Sequence, residues 1–406
     1  MTAHWRSERG AVLVHVAAAL ATFTLLSAFV VDLGMLLVSR HQIQNAVDAA
    51  ALAAATALSL DSYTNREADG PAKRAALAVA QANLVWNEAP RVTAADVTFP
   101  VCADSWDISA SAQPKYACVQ VDAFRDEDHA NPLPSIFGQL MGIPSMSTAA
   151  TATAETKEGN ATDCLKPLAI PDRWSEMYPA PGAWDPASTF DKWDPSNSAV
   201  ELPSTDLYKQ ATATASGTGL TLSVDFGTQV VLRAGSVATP ISPISPWKYL
   251  PIEIPDSVFG ANNVLSNINR CTKSTVKIGD SLSLAASGVS ATVAAGMQNL
   301  IDLDPTATWN VDDGRVEGSC AAARARCASM SPRIIALAVY DPIALADSSV
   351  TGATSVIVAN LVGFFIESVA GTDITGRIVR HPGLIKSDAP VLTDDSSFLR
   401  ASLLVK

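Results

Sequence analysis

The architecture of the chain follows from one long apolar segment, Ala11–Val38, AVLVHVAAALATFTLLSAFVVDLGMLLV. Its first part, Ala11–Val31, is 21 residues without a charged side chain, and a helix of that length rises about 30 Å, the thickness of the hydrocarbon core of a bilayer. No proline or cluster of turn residues interrupts the sequence from Met35 to Leu60. We therefore predict one continuous helix, about 75 Å long, that spans a membrane and carries a mixed α+β body.

The length and charge of the chain bound what this body can be. The 406 residues leave room for about two domains besides the helix. We predict a cytoplasmic N-terminus over residues 1–10, the long helix over 11–60, a membrane-proximal domain over 61–160 and a larger α+β ectodomain over 161–406. The net charge of -12 argues against nucleic acid as a partner, because the chain has no excess of basic groups to neutralise phosphates.

The charges that flank the apolar stretch orient it only weakly. Arg6 and Arg9 precede it, which favours a cytoplasmic N-terminus by the positive-inside rule, but Arg40 follows it. A cleaved secretory signal is the alternative, with cleavage-like sequence at Ala49–Ala55, although the apolar stretch exceeds the usual length of about 7–15 residues. Cysteine usage favours a body outside the cytoplasm, and no later apolar segment is long enough to span a bilayer, so we predict a single-pass protein.

The chain has six cysteines, all on the C-terminal side of the apolar stretch. An even number in an oxidising compartment predicts disulfides, and none of the six lies in a CxxC pair, so no metal site is expected. Local pairing would join two close pairs and leave the remaining two cysteines for a long-range bond; the alternative is that some are free buried thiols. The pairs are Cys102–Cys118, Cys320–Cys327 and Cys164–Cys271.

His15 and Asp32 are the two ionisable residues at the ends of the predicted span. With the membrane centred on Ala11–Val31, Asp32 lies at the outer interface. With the membrane centred on Val16–Val38, Asp32 is inside, which costs about 2.5–3.5 kcal/mol near the bilayer centre unless a partner compensates the charge. Asp32 therefore either marks the interface or pairs with a basic group on a partner subunit.

The helix beyond Arg40 has a small-residue face. Apolar residues recur there at helical spacing, which allows close packing against another helix or a sheet. That surface either packs within the chain or joins copies of the chain in a homo-oligomer. The residues are Ile43, Val47, Ala50, Ala54, Ala57 and Leu58.

Three elements of this segment together resemble a known family. They are Arg9-Gly10 before the span, the sequence Val-Asp-Leu-Gly at residues 31–34, and the sequence QIQNAVDAAALAAA at residues 42–55. The set is similar to the N-terminal segment of the TadE/TadG-like proteins of bacterial Flp-type (tight-adherence) pilus systems. The resemblance implies that the chain contributes to pilus assembly and that an ectodomain follows the anchor.

Gly10 is the candidate processing site, because related pseudopilins are cleaved at a glycine. Those relatives have Glu at the fifth mature position, whereas the fifth residue after Gly10 is His15. This departure favours the larger TadG-like members and a permanent anchor.

The body alternates helical and β-type patterns. We predict helices over Ala72–Asn87 and Ser287–Asp304 and a short helix within residues 134–142, and we predict strands over residues 97–101, 118–124 and 146–155. Three apolar, β-branched segments predict central strands, and Leu220–Ala234 predicts a hairpin turning at Gly227. The three segments are Ile334–Tyr340, Ser355–Glu367 and Ile374–Val379.

The segment from Cys164 to Ser204 is rich in proline, tryptophan and aspartate. Trp174, Trp184 and Trp193 lie among carboxylates, which is the combination that a carbohydrate site or a Ca²⁺ loop would use. The simplest interpretation is that these tryptophans pack a loop. Recognition of a glycan through them is the alternative.

Motifs for catalysis and cofactor binding are absent from the sequence. It contains no G-x-S-x-G elbow, no phosphate-binding glycine loop, no HExxH and no D-x-S-x-S metal loop of a von Willebrand factor A domain. We therefore expect no enzyme activity, no cofactor and no metal. The predicted function is a structural or interaction component of Flp pilus assembly whose partners are the membrane, pilin and other assembly subunits; a surface adhesin or glycan-binding module is the alternative.

Overall fold

A computed structural model of the chain shows a long N-terminal helix and a mixed α/β body. It describes residues 9–60, 70–100, 118–194, 197–236, 243–286, 288–319, 330–349, 352 and 354–405. The chain divides into two compact units. The first groups residues 1–55, 66–155 and 403–406, and the second groups residues 56–65 and 156–402.

The first helix, α1 (Arg9–Leu60), is continuous over 52 residues, which confirms the long helix predicted from the sequence. Its side chains from Val12 to Ser27 are all exposed. Among the described residues, α1 is the one helix that is long and apolar enough to cross a membrane. Exposure of so many apolar side chains is unfavourable in water and is typical of a lipid-facing surface.

A stripe of buried residues begins on α1 where its fully exposed part ends. The stripe recurs at spacings of three and four residues, so it follows one face of the helix. It continues into the alanine-rich part, where the small-residue face is buried within the chain. Its members include Ala28, Asp32, Met35, Ser39, Ile43, Ala46, Val47, Ala50 and Ala54. Packing within the chain therefore accounts for this face, and a homo-oligomer through it stays a prediction.

The rest of the first unit is small. Helix α2 (Pro71–Ala82) begins with proline, which suits the first helical turn because its missing N–H needs no partner there. Strands β1 (Val97–Thr98) and β2 (Val119–Arg125) pair antiparallel, and β2 also pairs antiparallel with β5 (Thr148–Glu158).

Between β2 and β5 lies a short two-stranded hairpin. It is formed by β3 (Leu133–Pro134) and β4 (Ser145–Met146), with a 3-10 helix (Gly138–Met141) in the intervening loop. The sequence predicted a short helix within residues 134–142, which the structure confirms in its tighter 3-10 form.

The second unit is built on a ring of six strands. The strands pair in the order β16, β7, β11, β10, β18 and β17, and β17 pairs again with β16, so the sheet closes on itself. A seventh strand, β13, pairs with the beginning of β17. The six strands are β7 (Leu165–Pro171), β10 (Gln229–Ala234), β11 (Lys248–Pro251), β16 (Ile334–Tyr340), β17 (Ser355–Ala370) and β18 (Asp373–Val379).

The three central strands predicted from the sequence are all in this ring. Every residue of β16 is buried. Ile335, Leu337 and Val339 belong to one apolar cluster, and the alternating residues Ala336 and Ala338 belong to another. Because successive side chains of a strand point to opposite faces, a strand buried on both faces has the continuous apolar sequence seen here.

Shorter elements complete the second unit. The predicted helix over Ser287–Asp304 is α5 (Ser290–Leu303), which supplies Val293, Met297 and Leu300 to the second cluster. The others are β6 (Ala161–Thr162), β8 (Trp193–Asp194), β9 (Asn197–Glu201), α3 (Leu222–Asp225), α4 (Val264–Asn269), β12 (Val276–Lys277), β13 (Ser281–Ser283), β14 (Thr308–Asn310), β15 (Arg315–Glu317), α6 (Pro342–Ser349), β19 (His381–Pro382) and β20 (Leu399–Val405).

The hairpin predicted over Leu220–Ala234 does not form. The first half contains α3, and the second half is β10, whose partners are β18 and β11. Gly227 has φ of 77°, so it does provide the expected turn. The turn leads from a helix into a strand of the ring because β10 finds its pairing partners far away in the sequence.

One predicted disulfide is directly confirmed. Cys164 and Cys271 are bonded across 107 residues of sequence, so the bond cross-links distant parts of the second unit. Cys118 is also disulfide-bonded, while Cys102, Cys320 and Cys327 lie outside the described residues.

Candidate functional site

The most organised polar contact of the N-terminal helix is made by Asp32. This residue follows directly on the uncharged stretch and is only 8% exposed. Its Oδ1 accepts a hydrogen bond from the Ile136 amide at 2.9 Å, its Oδ2 accepts one from the Gly138 amide at 2.7 Å, and the Phe137 amide donates to Oδ2 at 3.0 Å. Three consecutive backbone N–H groups therefore surround one carboxylate.

The hairpin loop is shaped to present these three amides. The Ser135 hydroxyl donates to the Ile143 carbonyl at 2.6 Å, and the Ile143 amide donates to the Gly138 carbonyl at 2.8 Å, which closes the loop. A Cβ on Gly138 would lie 2.6 Å from Ser135 Oγ and 2.7 Å from the Ile143 carbonyl oxygen. Only glycine therefore fits at this position without a shift of the Ser135 side chain and the Ile143 carbonyl, which close the loop.

This arrangement is a backbone anion nest occupied by a side chain of the same chain. Consecutive amides that point inward form a concave, positively polarised site, and hydrogen bonds from N–H groups to a carboxylate are stronger than those to a neutral acceptor. Both oxygens of Asp32 are engaged in this way. The carboxylate thus fastens the hairpin loop Leu133–Met146 to the helix at the end of the uncharged stretch.

This contact bears on both interpretations of Asp32. The residue is the second member of the buried stripe, four positions after Ala28, and its role as a marker of the membrane interface stays a prediction. Its compensating partners are backbone amides of residues 136–138. Pairing with a basic group on a partner subunit stays a prediction. Such a group would have to share these carboxylate oxygens with the three amides.

Two further polar contacts hold α1 within the first unit. The Gln42 side-chain oxygen accepts a hydrogen bond from the Trp86 amide at 2.9 Å. Gln44 Nε2 donates to Asp48 Oδ1 at 2.8 Å and approaches the Thr151 carbonyl at 3.4 Å. Gln42, Gln44 and Asp48, the polar residues of the segment 42–55 named here, therefore make contacts inside this chain.

The other predicted positions of the anchor have simpler surroundings. His15 is exposed on the apolar part of α1. Gly10 lies in the first turn of the same helix. The structure does not bring either residue together with Asp32, because 17 residues of helix separate His15 from it, a rise of about 25 Å.

The predicted recognition loop has its tryptophans in the core or against it. Trp174 is 1% exposed and meets Trp184 and Phe190 edge to face, at ring-centroid distances of 5.5 and 5.4 Å. Trp193 is partly buried, and its indole N–H donates to the Ala346 carbonyl at 3.2 Å. Packing is therefore the role that the structure shows for Trp174, and glycan recognition by the other two stays a prediction.

Buried aspartates organise this same region. Asp172 Oδ1 accepts hydrogen bonds from the amides of Arg173 and Leu220, and the Tyr208 hydroxyl donates to its Oδ2 at 3.0 Å. Burial, helped by the nearby charge of Asp225, raises the pKa of Asp172 to about 6 although these hydrogen bonds oppose the shift. The sequence singled out the acidic residues here but not their role as acceptors for loop amides.

Among the described residues, one group of three acidic side chains lies close enough together to hold a metal ion. Carboxylate oxygens of Glu176, Asp191 and Asp206 lie within 4.8 Å of one another. Asp206 also accepts hydrogen bonds from the amides of Met177, Tyr178 and Asp191. Its oxygens thus have a structural task, and the group supports no assignment of a metal.

The sequence interpretation missed the loop that binds Asp32. A signal was present, because residues 130–154, which contain the β3–β4 hairpin and the first part of β5, have no charged side chain. What the sequence could not show is that this segment folds back onto the helix 100 residues earlier.

The geometry defines a class of protein: a body attached to a single apolar helix through a carboxylate at the end of the membrane-length stretch. Residues 10–57 match the family model described as "Putative Flp pilus-assembly TadE/G-like". These residues therefore form a TadE/G-like domain, and the family connects the chain with Flp pilus assembly. Comparisons with curated proteins and with solved structures gave no match.

The Asp32 contact predicts a specific change in backbone protection. In Asp32→Asn, one acceptor oxygen and the charge are lost, so amides 136–138 should exchange with solvent about 100-fold faster, the equivalent of about 3 kcal/mol. Hydrogen–deuterium exchange with mass spectrometry on the full chain in lipid nanodiscs measures this for the peptide covering residues 133–146.

Asp48→Asn is the matched control for that experiment. Asp48 lies on the same helix and accepts a hydrogen bond from Gln44, four residues away. Its replacement should leave exchange of residues 133–146 unchanged. Equal exchange in wild type and Asp32→Asn would show that the carboxylate does not fasten the loop.

Two buried groups predict opposite pH dependences of stability. The folded-state pKa of Asp172 is raised to about 6, so its contribution lowers the free energy of unfolding as pH rises from 4 to 6. Burial lowers the pKa of His381 to about 4, so its contribution raises that free energy between pH 4 and 6.5. Each effect is about 3 kcal/mol, and in the wild type the two largely cancel.

Single variants should expose the separate slopes. In Asp172→Asn the free energy of unfolding should rise by about 3 kcal/mol from pH 4 to 6.5, and in His381→Gln it should fall by about 3 kcal/mol from pH 4 to 6. Denaturant titrations followed by tryptophan fluorescence measure both. Variants with the same pH profile as wild type would contradict the assignment.

Proposed function

We propose that the chain is a membrane-anchored structural component of Flp-type pilus assembly, of the larger TadG-like kind. Its N-terminus lies in the cytoplasm, α1 crosses the inner membrane, and the body is extracytoplasmic. The observation that carries the proposal is the combination of a TadE/G-like match over residues 10–57 with an apolar helix exposed from Val12 to Ser27.

The proposed mechanism is contact rather than catalysis. The helix holds the protein among the membrane subunits of the assembly apparatus, and the body contacts assembling pilin or other subunits of the apparatus. Support comes from the division of α1 into an exposed apolar part, which is open to lipid and to other helices, and a buried stripe that begins at Ala28. The absence of catalytic motifs from the sequence favours a non-enzymatic role.

The alternative function, a glycan-binding module, has weaker support. A carbohydrate site stacks sugars on exposed aromatic faces. Trp174 is 1% exposed and is packed between Trp184 and Phe190. Only Trp184 and Trp193 remain as contributors to such a site.

Genetic complementation tests the pilus role. Deletion of the gene in its own host should abolish or strongly reduce surface Flp pili, quantified by shearing and immunoblotting, and the wild-type gene should restore them. A chimaera with an unrelated membrane helix in place of residues 10–38 should reach the membrane but fail to restore pili, because the helix contacts would be lost.

Tryptophan variants separate the two functions. Trp193→Ala should still restore pili if contact through the anchor carries the role. Normal pili in the deletion strain would overturn the proposal. Normal pili in the deletion strain, together with loss of adhesion to glycan in Trp193→Ala, would establish the alternative.

A further inference from the structure

We propose that the hairpin loop Leu133–Met146 inserts into the outer lipid interface of the membrane beside α1, as a second membrane contact of the chain. The proposal goes beyond the pilus role and rests only on α1 spanning the membrane. The partner it commits to is the lipid at the boundary between headgroups and acyl chains.

The loop has the composition of an interfacial segment. Residues 133–146, LPSIFGQLMGIPSM, contain no charged side chain. Ile136 is 52% exposed and Ile143 is 54% exposed, and the neighbouring Pro134 and Pro144 are exposed as well. Two isoleucines open to solvent on one short hairpin are unfavourable in water and favourable at the edge of a bilayer.

Asp32 fixes the depth of this loop along the helix. Its carboxylate lies 2.9 Å from the Ile136 amide and 2.7 Å from the Gly138 amide. Asp32 is also the first residue after the 21 uncharged residues of the predicted span. The exposed isoleucines are therefore held beside the position where α1 leaves the hydrocarbon core.

The exposed face of α1 stays apolar from Leu33 to Val38, before the exposed Arg40. Leu33, Leu37 and Val38 are exposed although they follow Asp32. A charged residue normally ends a span because burying it without a partner is costly. Here three amides compensate the carboxylate, so the membrane interface can extend past Asp32 along this face and reach the loop.

Continuity favours lipid over a protein as the occupant. The lipid-facing surface of α1 runs without a charged side chain from Val12 to Val31, and the loop adds its two isoleucines at the outer end of that surface. The proline, glycine and serine residues of the loop let its backbone remain at the polar boundary, with the isoleucine side chains turned to the acyl chains.

Spin labels on single introduced cysteines test the proposal. The full chain, with its native disulfides kept oxidised, is placed in lipid nanodiscs and labelled at Ile136→Cys or Ile143→Cys. Collision rates are measured with oxygen, which concentrates in lipid, and with a polar nickel chelate, which stays in water. Both labelled sites are exposed, so labelling should not disturb the fold.

Two reference positions calibrate the measurement. Phe23→Cys, exposed in the middle of the uncharged stretch, should collide with oxygen and not with nickel. Val311→Cys, an exposed apolar position followed by Asp312 and Asp313, should collide readily with nickel. The loop labels, at the interface, should fall between the two references: nickel collisions markedly rarer than at Val311→Cys but more frequent than at Phe23→Cys, and oxygen collisions more frequent than at Val311→Cys.

Other outcomes overturn the proposal. Nickel collisions as frequent as at Val311→Cys would place the loop in water. Protection from both reagents would mean that a protein surface, such as a second copy of the chain, covers it. If Phe23→Cys itself collides with nickel, the membrane span and with it this inference fail. The deletion experiment that tests the pilus role measures surface pili, so its outcome does not depend on any of these three results.

Discussion

A single carboxylate held by three backbone amides is the contact on which the first unit depends. The side chains of α1 from Val12 to Ser27 are all exposed, so this part of the helix is not buried against the rest of the unit. Asp32 supplies the first specific contact by accepting hydrogen bonds from residues 136–138. The contact is directional and charge-assisted, so it sets both the rotation of the helix and the height of the hairpin loop.

The second unit also contains buried carboxylates that accept hydrogen bonds from backbone amides, and there they hold loops together. Asp172 and Asp206 are buried and accept hydrogen bonds from amides of the loops around them. A long proline-rich segment cannot satisfy its backbone through helix or strand pairing, and buried amides without partners are costly. Short acidic side chains provide the missing acceptors. The acidic composition of residues 172–206 is thus largely explained by loop architecture.

The elements set by local pattern were predictable from the sequence, and those set by distant contacts were not. The long helix, α5 and the strands β16 and β18 were recognised because apolar periodicity decides them. The hairpin expected over Leu220–Ala234 failed because β10 pairs with strands distant in sequence. Asp32 was singled out from the sequence, but the amides that bind it were not, since nothing local indicates that residues 136–138 reach it. The buried position of Trp174 likewise depends on the closed ring of strands.

If α1 anchors a body that lies outside the cytoplasm, a pair of topology reporters fused after the helix will detect it. Alkaline phosphatase and green fluorescent protein are fused separately after Leu60, the last residue of α1, and expressed in a bacterial host. We expect an active phosphatase and a non-fluorescent green fluorescent protein, because the former needs an oxidising compartment and the latter does not fold after export through the general secretory route. A fluorescent fusion with inactive phosphatase would place the body in the cytoplasm and rule out an extracytoplasmic role.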